Sequence, residues 1–322
     1  MMTELSQKIA RARGLTVLEP ELHPQAQPGA EERERLASLG YLSGPGGRVS
    51  SGLPDPRAMT AVAERLHRAV ERAQKGDCVF ALSEVEEIVH VDPHNFPALS
   101  LAGECLRDVG KHEAALAYFR RAAAENPRSA VPLANEANSL LQLGHVDEAI
   151  AQFRLSLALD PSQPQAAVIL ARVLEGRRET AEALNVLDAA IAAGCRAPMV
   201  FLERGQALAE SGHLAEALDA FQEASRRNPG DAVARENAAR AAFGLSRFAD
   251  SARIYEDMLR VFPQREDIWK TLGAVYVFRL DDKTSGARAY REALRLEHDP
   301  VEREKLEVLL KDLEGHGSGR TP

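Results

Sequence analysis

The chain has 322 residues, of which 45% are apolar, many of them alanine, and only 5% are aromatic, a balance that favours close-packed helices over a β-sandwich or barrel. The formal net charge of −8 argues against nonspecific nucleic-acid binding, which needs a cationic surface to displace counterions from phosphates. The three cysteines are widely spaced and form no C-x-x-C pair, so neither a disulfide framework nor a zinc ribbon is suggested.

Residues 1–57 are predicted to be a flexible segment with one short helix. Proline, glycine and glutamine cluster in EPELHPQAQPGA, and the glycine-rich SGPGGRVSSG lies further along the chain. Between them, EERERLASLGYL is a short helical candidate. Its apolar residues are Leu36, Leu39, Tyr41 and Leu42. This group is either a docking element or the face by which the helix packs on the first repeat.

The sequence also indicates where the protein is located. No stretch reaches the ~18 apolar residues of a membrane span, and the opening MMTELSQKIARARG lacks the apolar core of a secretory signal. We therefore expect a cytoplasmic protein without a membrane partner. A periplasmic or secreted location is expected instead if the chain is a piece of a longer exported enzyme.

A 34-residue period runs through residues 58–300. Prolines recur at steps of 34 or a multiple of it, with Cys195 at one place in the series. Two ladders of small residues share this register, and a bulky residue on the same helical face follows each member of the second ladder by four positions. The first ladder is Gly103, Ala137, Ala171, Gly205, Ala239 and Gly273. The second ladder is Ala81, Ala115, Ala149, Ala183, Ala217 and Ser251. The bulky residues are Val85, Phe119, Phe153, Leu187, Phe221 and Tyr255.

Each period is predicted to be a helical hairpin. A glycine breaks the helical pattern where a short turn separates two helices, and the proline ends the second helix because its ring cannot join the hydrogen-bond ladder. A small residue opposite a bulky one lets the two helices approach closely. A leucine at Gly103 should therefore cost about 1–3 kcal/mol through overpacking. The turn glycines are Gly76, Gly110, Gly144 and Gly212.

Three units depart from this pattern. In the first, strict spacing would place arginines at core positions, so we predict a first helix that is one residue short. The arginines are Arg65, Arg68 and Arg72, and the alternative core residues are Leu66, Ala69, Val70 and Ala73. The fourth unit has Arg178 in place of the turn glycine and GCRAP in place of the proline stop. The seventh has one extra residue in RLDDKTSG.

The array is followed by a predicted terminal helix. Residues 301–314 carry leucines at helical spacing with charged residues between them, as expected of a helix that caps an open-ended stack. Residues 315–322 are predicted to be a disordered tail. The leucines are Leu306, Leu309, Leu310 and Leu313.

This 34-residue pattern resembles the tetratricopeptide repeat. The elements that carry the resemblance are, in order, small-x-x-Leu, Gly, Ala-x-x-x-Phe, a small residue and Pro. The resemblance covers seven units in residues 58–300. It implies an all-α, right-handed superhelical solenoid of about seven hairpins with a capping helix. It also implies a noncatalytic scaffold that binds an extended peptide or a partner protein in a concave groove.

The resemblance further implies that outward positions on the first helices line this groove. The candidate groove residues are Asn135, Asn138, Arg172, Gln206, Asn237 and Arg240. The arginines among them could give charge-assisted hydrogen bonds to acidic groups of a ligand. The alternative is that these polar side chains only keep an exposed face soluble. Phe243, Val277 and Phe278 form either an apolar anchor in the groove or part of the packing against the core and cap.

The sequence contains no catalytic constellation, and we expect no enzyme activity, cofactor or metal. His112, His145 and His213 fall in the turns of different hairpins, so three ligands around one ion are not expected. Neither H-E-x-x-H nor G-x-S-x-G occurs, and no G-K-[ST] completes a phosphate loop.

A second resemblance concerns the segment before the array. EERERLASLGYLSG, followed by LPDP and a helix, resembles the carboxyl-terminal junction of bacterial sulfatase-like hydrolases that carry a tetratricopeptide tail. It implies an alternative function, that of a detached or truncated regulatory region that docks on a separately encoded hydrolase. The C/S-x-P-x-R motif of sulfatases is absent, because CRAPM has its proline one place too late, so no sulfatase site is transferred.

Overall fold

The computed structural model describes residues 56–315, which form fifteen helices and the turns between them. Fourteen helices pair in chain order into seven hairpins. The first helices are α1 (Pro56–Gln74), α3 (Phe96–Asp108), α5 (Val131–Gln142), α7 (Pro164–Gly176), α9 (Pro198–Glu210), α11 (Ala232–Gly244) and α13 (Glu266–Arg279). The second helices are α2 (Cys78–Val91), α4 (His112–Glu125), α6 (Val146–Leu159), α8 (Thr180–Ala192), α10 (Leu214–Arg227), α12 (Phe248–Val261) and α14 (Lys283–Leu296), and α15 (Pro300–Gly315) follows them.

The predicted fold class, a superhelical solenoid of helical hairpins with a capping helix, is confirmed. From α2 onward each helix packs on the next one in the chain, and first helices of neighbouring hairpins also meet, as α7 and α9 do. Helix α1 packs on α2 through a cluster that includes Ala69 and Ala81. The predicted short helix near the amino terminus lies outside the described residues, as does the tail from residue 316.

Glycines of the first ladder let the two helices of a hairpin lie in direct contact. A Cβ atom built on Gly103 would stand 2.5 Å from Cε1 of Phe119, and one on Gly205 would stand 2.5 Å from Cε1 of Phe221. Real Cβ atoms do not approach other carbon atoms this closely, so the aromatic ring occupies the space that a larger residue would need. The small and bulky series therefore interlock as the period predicts.

The turn inside each hairpin uses one residue in the left-handed region. Glycine holds this position in four hairpins, but Arg178 holds it in the fourth with a φ of 65° and Ser246 in the sixth with a φ of 60°. A side chain in this region costs roughly 1–2 kcal/mol relative to its preferred conformation. In the seventh hairpin Asp281 takes the role, one residue later than the period, which accounts for the predicted extra residue. The four glycines are Gly76, Gly110, Gly144 and Gly212.

The prediction that the first helix of hairpin 1 is one residue short is wrong. Helix α1 has 19 residues, and Ala69 is fully buried at its strict position, 34 residues before the next ladder member. Arg65 and Arg68 do fall at positions that are core in later hairpins. They instead reach Glu84 on α2, at 3.5 and 3.1 Å. Among the described residues no hairpin precedes α1, so these positions have no apolar neighbour to face.

Hairpin 4 ends without a proline because its sequence supplies another stop. Gly194 follows α8 with a φ of 95°, and the backbone N–H of Cys195 donates to the carbonyl of Ala190 at 3.0 Å. This is the hydrogen bond of a glycine-terminated helix, and it satisfies a carbonyl that would otherwise lack a partner. Cys195 is then buried in the core between hairpins.

The last helix closes the stack as predicted. Leu306 and Leu310 of α15 are buried against α14, in a cluster that includes Tyr290. The half-buried Leu309 and Leu313 pack around them. The cap thus covers the apolar face that hairpin 7 would otherwise expose.

Candidate partner-binding face

Outward positions on the first helices form two rows at 34-residue spacing. The forward row stands one residue after each member of the first ladder, and the rear row stands three residues before the forward row. The forward row is Glu104, Asn138, Arg172, Gln206, Arg240 and Ala274. The rear row is Leu101, Asn135, Ile169, Glu203, Asn237 and Thr271. All six predicted groove residues belong to these rows.

Contacts between hairpins 2 and 3 show how the rows meet. Asn135 donates from Nδ2 to Oε1 of Glu104 at 3.4 Å and accepts from Nη1 of Arg107 at 2.8 Å. A forward-row residue therefore faces the rear-row residue of the next hairpin, 31 positions later. Burial at this boundary raises the pKa of Glu104, and Arg107 partly opposes the rise. Asn135 consequently joins two hairpins in addition to facing outward.

The boundary between hairpins 4 and 5 has the same arrangement, but here both facing side chains are charged. Arg172 donates from Nε and Nη2 to the carboxylate of Glu203 at 2.8 and 2.7 Å. Glu203 is only 2% exposed, whereas the arginine side chain remains largely in solvent. The hydrogen bond to Glu203 raises the pKa of Arg172. Arg172 therefore compensates a buried carboxylate, a role that the sequence prediction did not include.

The other four predicted groove residues have no such bond. Asn138, Gln206 and Asn237 are half-buried and Arg240 is exposed. None of these four side chains makes a hydrogen bond or an ion pair with any residue between 60 and 315. Their assignment to a groove stays a prediction, but their polar groups are available to a ligand.

A cleft of about 550 Å³ opens between α11 and α13, at the boundary between hairpins 6 and 7. Arg240 and Thr271 both line it, as a forward-row residue and its rear-row counterpart should. Further lining comes from Phe243 and Phe278, two of the three residues considered above as an apolar anchor. Thr271 donates its hydroxyl to the backbone carbonyl of Asp267 at 2.9 Å.

The three candidate anchor residues have different environments. Val277 packs in the cluster beneath the capping helix. Phe243 meets Phe248 edge to face, with ring centroids 5.1 Å apart. Phe278 is 65% exposed. Packing against the core and cap therefore accounts for Val277, and aromatic packing holds Phe243. Of the three, Phe278 alone presents its ring to solvent.

Comparison with known families agrees with this architecture. Family models for the tetratricopeptide repeat match residues 66–130, 135–198 and 208–275, which together make up more than half of the chain. The chain is a tetratricopeptide repeat protein. The matched ranges begin within α1 and end within α13. In the structure the array of this tetratricopeptide repeat protein continues past the last matched residue to α14 and the cap α15.

Solved structures share the fold of this tetratricopeptide repeat protein. The carboxyl-terminal part of a TPR repeat-containing protein from Cytophaga hutchinsonii is 14% identical, covers 75% of this chain and 98% of its own, and superposes with a TM-score of 0.62. PilW, a widely conserved type IV pilus biogenesis factor, is 21% identical, covers 66% and 98%, and has a TM-score of 0.53. No curated protein matches the chain. The sulfatase-like resemblance gains no support from these comparisons.

An acidic group near the Arg172 pair of this tetratricopeptide repeat protein escaped sequence analysis. Burial raises the pKa of Glu175 to about 7, with further contributions from the charges of Glu203 and Glu210 and an opposing one from Arg172. Its buried Oε1 atom has no hydrogen-bond partner among the described residues. The available signal was the position of Glu175 on the same face of α7 as Arg172, three residues later.

Within residues 60–315, no group of three or more His, Cys, Asp or Glu side chains is placed to hold a metal ion. No helix in the same part of the chain is both long and apolar enough to cross a membrane.

Proposed function

We propose that this protein is a noncatalytic interaction scaffold that receives an extended segment of a partner protein along its first helices. Tetratricopeptide repeat proteins generally act as protein-interaction scaffolds. The observation that carries the proposal is the set of four predicted groove residues whose side chains form no hydrogen bond with residues 60–315. Half-buried amides that lack partners can donate to and accept from the backbone of a peptide. The four residues are Asn138, Gln206, Asn237 and Arg240.

The test needs residues whose removal leaves the fold intact. Arg172 is unsuitable because its removal would leave the buried carboxylate of Glu203 without its hydrogen bonds. Any loss of binding could then not be separated from a loss of stability. Asn138→Ala combined with Gln206→Ala removes two amides that bond to nothing in residues 60–315. Asn185→Ala combined with Gln264→Ala is the matched control, since both residues are exposed and lie away from the two rows.

The full chain should enrich peptides from a library of random decapeptides, and fluorescence anisotropy should then give their affinities. We expect the double variant Asn138→Ala and Gln206→Ala to bind about tenfold more weakly, because two hydrogen bonds are lost, and the control pair to bind as before. Both should unfold at the midpoint of the parent protein. Equal affinities for the variant and the control would contradict the groove assignment.

The alternative, a regulatory region that docks on a sulfatase-like hydrolase, depends on residues 31–57. Residues 31–55 of this segment lie outside the described residues. Deletion of residues 1–57 should abolish docking under this alternative and leave peptide capture unchanged under the main proposal. A pull-down with the truncated chain distinguishes the two.

A further inference from the structure

The cleft between α11 and α13 contains two cations without a carboxylate partner. Neither Arg240 nor Arg279 has an Asp or Glu oxygen within 4.0 Å in the part of the chain that the structure describes. Glu236, the carboxylate that lines the cleft, is already bound to Nη2 of Arg265 at 3.1 Å. The cleft therefore has an excess of positive charge, although the chain as a whole carries a formal charge of −8.

One of these cations is held in place by aromatic rings. The Cζ atom of Arg279 lies 5.3 Å from the ring centroid of Phe243 and 5.5 Å from that of Phe248. Such contacts attract the guanidinium by its charge and do not use its N–H groups, which stay available as hydrogen-bond donors. Because the side chain is already oriented, little of its rotational freedom remains to be lost when a ligand binds.

The same cleft has an apolar surface beside the cations. Phe278 exposes 65% of its surface and is the only aromatic residue among the large exposed hydrophobics of the described residues. Ala274 and Val275 also line the cleft. The exposed ring of Phe278 gives a ligand apolar surface to bury, and the guanidinium groups of Arg240 and Arg279 beside it give hydrogen-bond donors.

We infer that this cleft anchors a segment of a partner protein in which an acidic side chain stands beside a bulky apolar one. The inference rests on the proposed scaffold function and adds the chemistry of the segment. The carboxylate would receive charge-assisted hydrogen bonds from Arg240 and Arg279, and the apolar side chain would cover Phe278. A basic segment would meet repulsion at the same place, so the cleft also discriminates by charge.

The test is affinity selection of random decapeptides, acetylated and amidated so that only side chains supply carboxylates. The full chain is compared with Arg240→Gln and with Arg128→Gln. Arg128 is an exposed arginine between α4 and α5 that makes no hydrogen bond or ion pair with residues 60–315, so the control removes the same charge elsewhere. Phe278→Ser is a second variant that does not involve the arginines. Circular dichroism confirms that each variant unfolds at the parent midpoint.

The full chain should enrich peptides with Asp or Glu next to Leu, Phe, Met or Trp. Their affinity should fall at least about tenfold in Arg240→Gln, or when Asn or Gln replaces the acid, and should be unchanged in Arg128→Gln. Phe278→Ser should weaken binding while the preference for acidic peptides persists. If Arg240→Gln does not fold, this Phe278→Ser result carries the test.

Other results would overturn the inference. Enriched peptides without an acidic preference, or peptides that bind Arg240→Gln as tightly as the parent, would refute the cleft assignment and leave the scaffold function standing. Enrichment of no peptide by the full chain would refute both. Self-association of the full chain in sedimentation velocity that Arg240→Gln abolishes would show that a second copy, and not a partner protein, occupies the cleft.

Discussion

Two boundaries in the stack place an arginine at the same position and give it different roles. Between hairpins 4 and 5, Arg172 faces Glu203 and satisfies a buried carboxylate. Between hairpins 6 and 7, Arg240 stands opposite Thr271, whose hydroxyl is already bonded to its own helix. The forward-row arginine is therefore a structural bridge where the residue 31 positions later is acidic, and it is available to a ligand where that residue is not.

The charge balance of the two boundaries differs in the same sense. The carboxylates of Glu203 and Glu175 both act on Arg172, and Glu210 adds a further negative charge that acts on Glu175. The cleft around Arg240 has the opposite excess, since its carboxylate is bound to another arginine. The boundary around Arg172 is thus closed by an internal ion pair, whereas the boundary around Arg240 is open, because neither of its two arginines forms an ion pair with residues 60–315.

The largest expected effect is on stability at the closed boundary. Arg172→Ala should lower the free energy of unfolding by about 1–3 kcal/mol, because the buried carboxylate of Glu203 loses its hydrogen bonds. Arg240→Ala removes an exposed arginine that forms no hydrogen bond or ion pair with residues 60–315, and it should change the free energy of unfolding by no more than about 0.5 kcal/mol. Urea unfolding of both variants measures the difference. Equal losses would mean that the two boundaries do not differ as described.

A second change would convert the open boundary into a closed one. Thr271→Glu places a carboxylate 31 residues after Arg240, as Glu203 stands after Arg172. We expect the affinity for acidic peptides to fall about tenfold and the free energy of unfolding to rise by about 0.2–1 kcal/mol. Thr271→Gln is the matched control without charge, and anisotropy should show nearly unchanged binding. Unchanged binding in Thr271→Glu would contradict the role of Arg240.

A third prediction uses pH to distinguish the boundaries. The pKa of Glu175 is raised from 4.5 to about 7, so the folded state binds a proton that the unfolded state releases between these values. The contribution of this group to stability is therefore full below about pH 4.5 and declines as the pH rises to about 7. Glu175→Gln should match the parent near pH 4.5 and be more stable than the parent at pH 8. Thermal unfolding across this range measures the difference.

The control for the pH experiment is Glu86→Gln, which alters an exposed carboxylate on α2 without an ion-pair partner among residues 60–315. Its stability relative to the parent, measured over the same pH range, gives the baseline for an exposed Glu→Gln change, and the Glu175→Gln difference is compared with it. A pH-independent difference for Glu175→Gln would show that the group titrates normally.

The smallest effect should be the same in both regions. Arg178 and Ser246 hold left-handed turns in hairpins 4 and 6, next to the closed and the open boundary. Glycine relieves the strain but adds freedom to the unfolded chain, so Arg178→Gly and Ser246→Gly should each raise the free energy of unfolding by only about 0.5–1 kcal/mol. Unequal gains in urea unfolding would show that turn strain contributes to the difference between the boundaries.

The fold could be predicted in detail because its determinants are local. Glycine, alanine, aromatic residue and proline recur at fixed intervals, and each interval is set by the length of one hairpin. The error occurred in hairpin 1, where Arg65 and Arg68 stand at positions that contact a preceding hairpin elsewhere. Sequence periodicity assigns positions but not neighbours, so an arginine in the first described hairpin was interpreted as a shift in register.

The candidate site was less predictable because its contacts cross hairpin boundaries. Arg172 and Glu203 both stood in the rows of the first helices, yet their pairing depends on how one hairpin is rotated on the next. A spacing of 31 with opposite charges was the available signal. The exposure of Phe278 beside the half-buried Val277 could not be deduced, because neighbouring helical positions differ by about 100° and the choice between them depends on the cap.

Because Arg172 and Glu203 belong to different hairpins, their ion pair depends on the order in which the hairpins follow one another along the chain. Excision of 34 residues around Arg172 would keep the register of the remaining ladders but would bring Asn138 opposite the buried Glu203. The neutral amide of Asn138 would then face a carboxylate that now receives charge-assisted hydrogen bonds from Arg172, so the shortened stack should be less stable than its intact frame suggests.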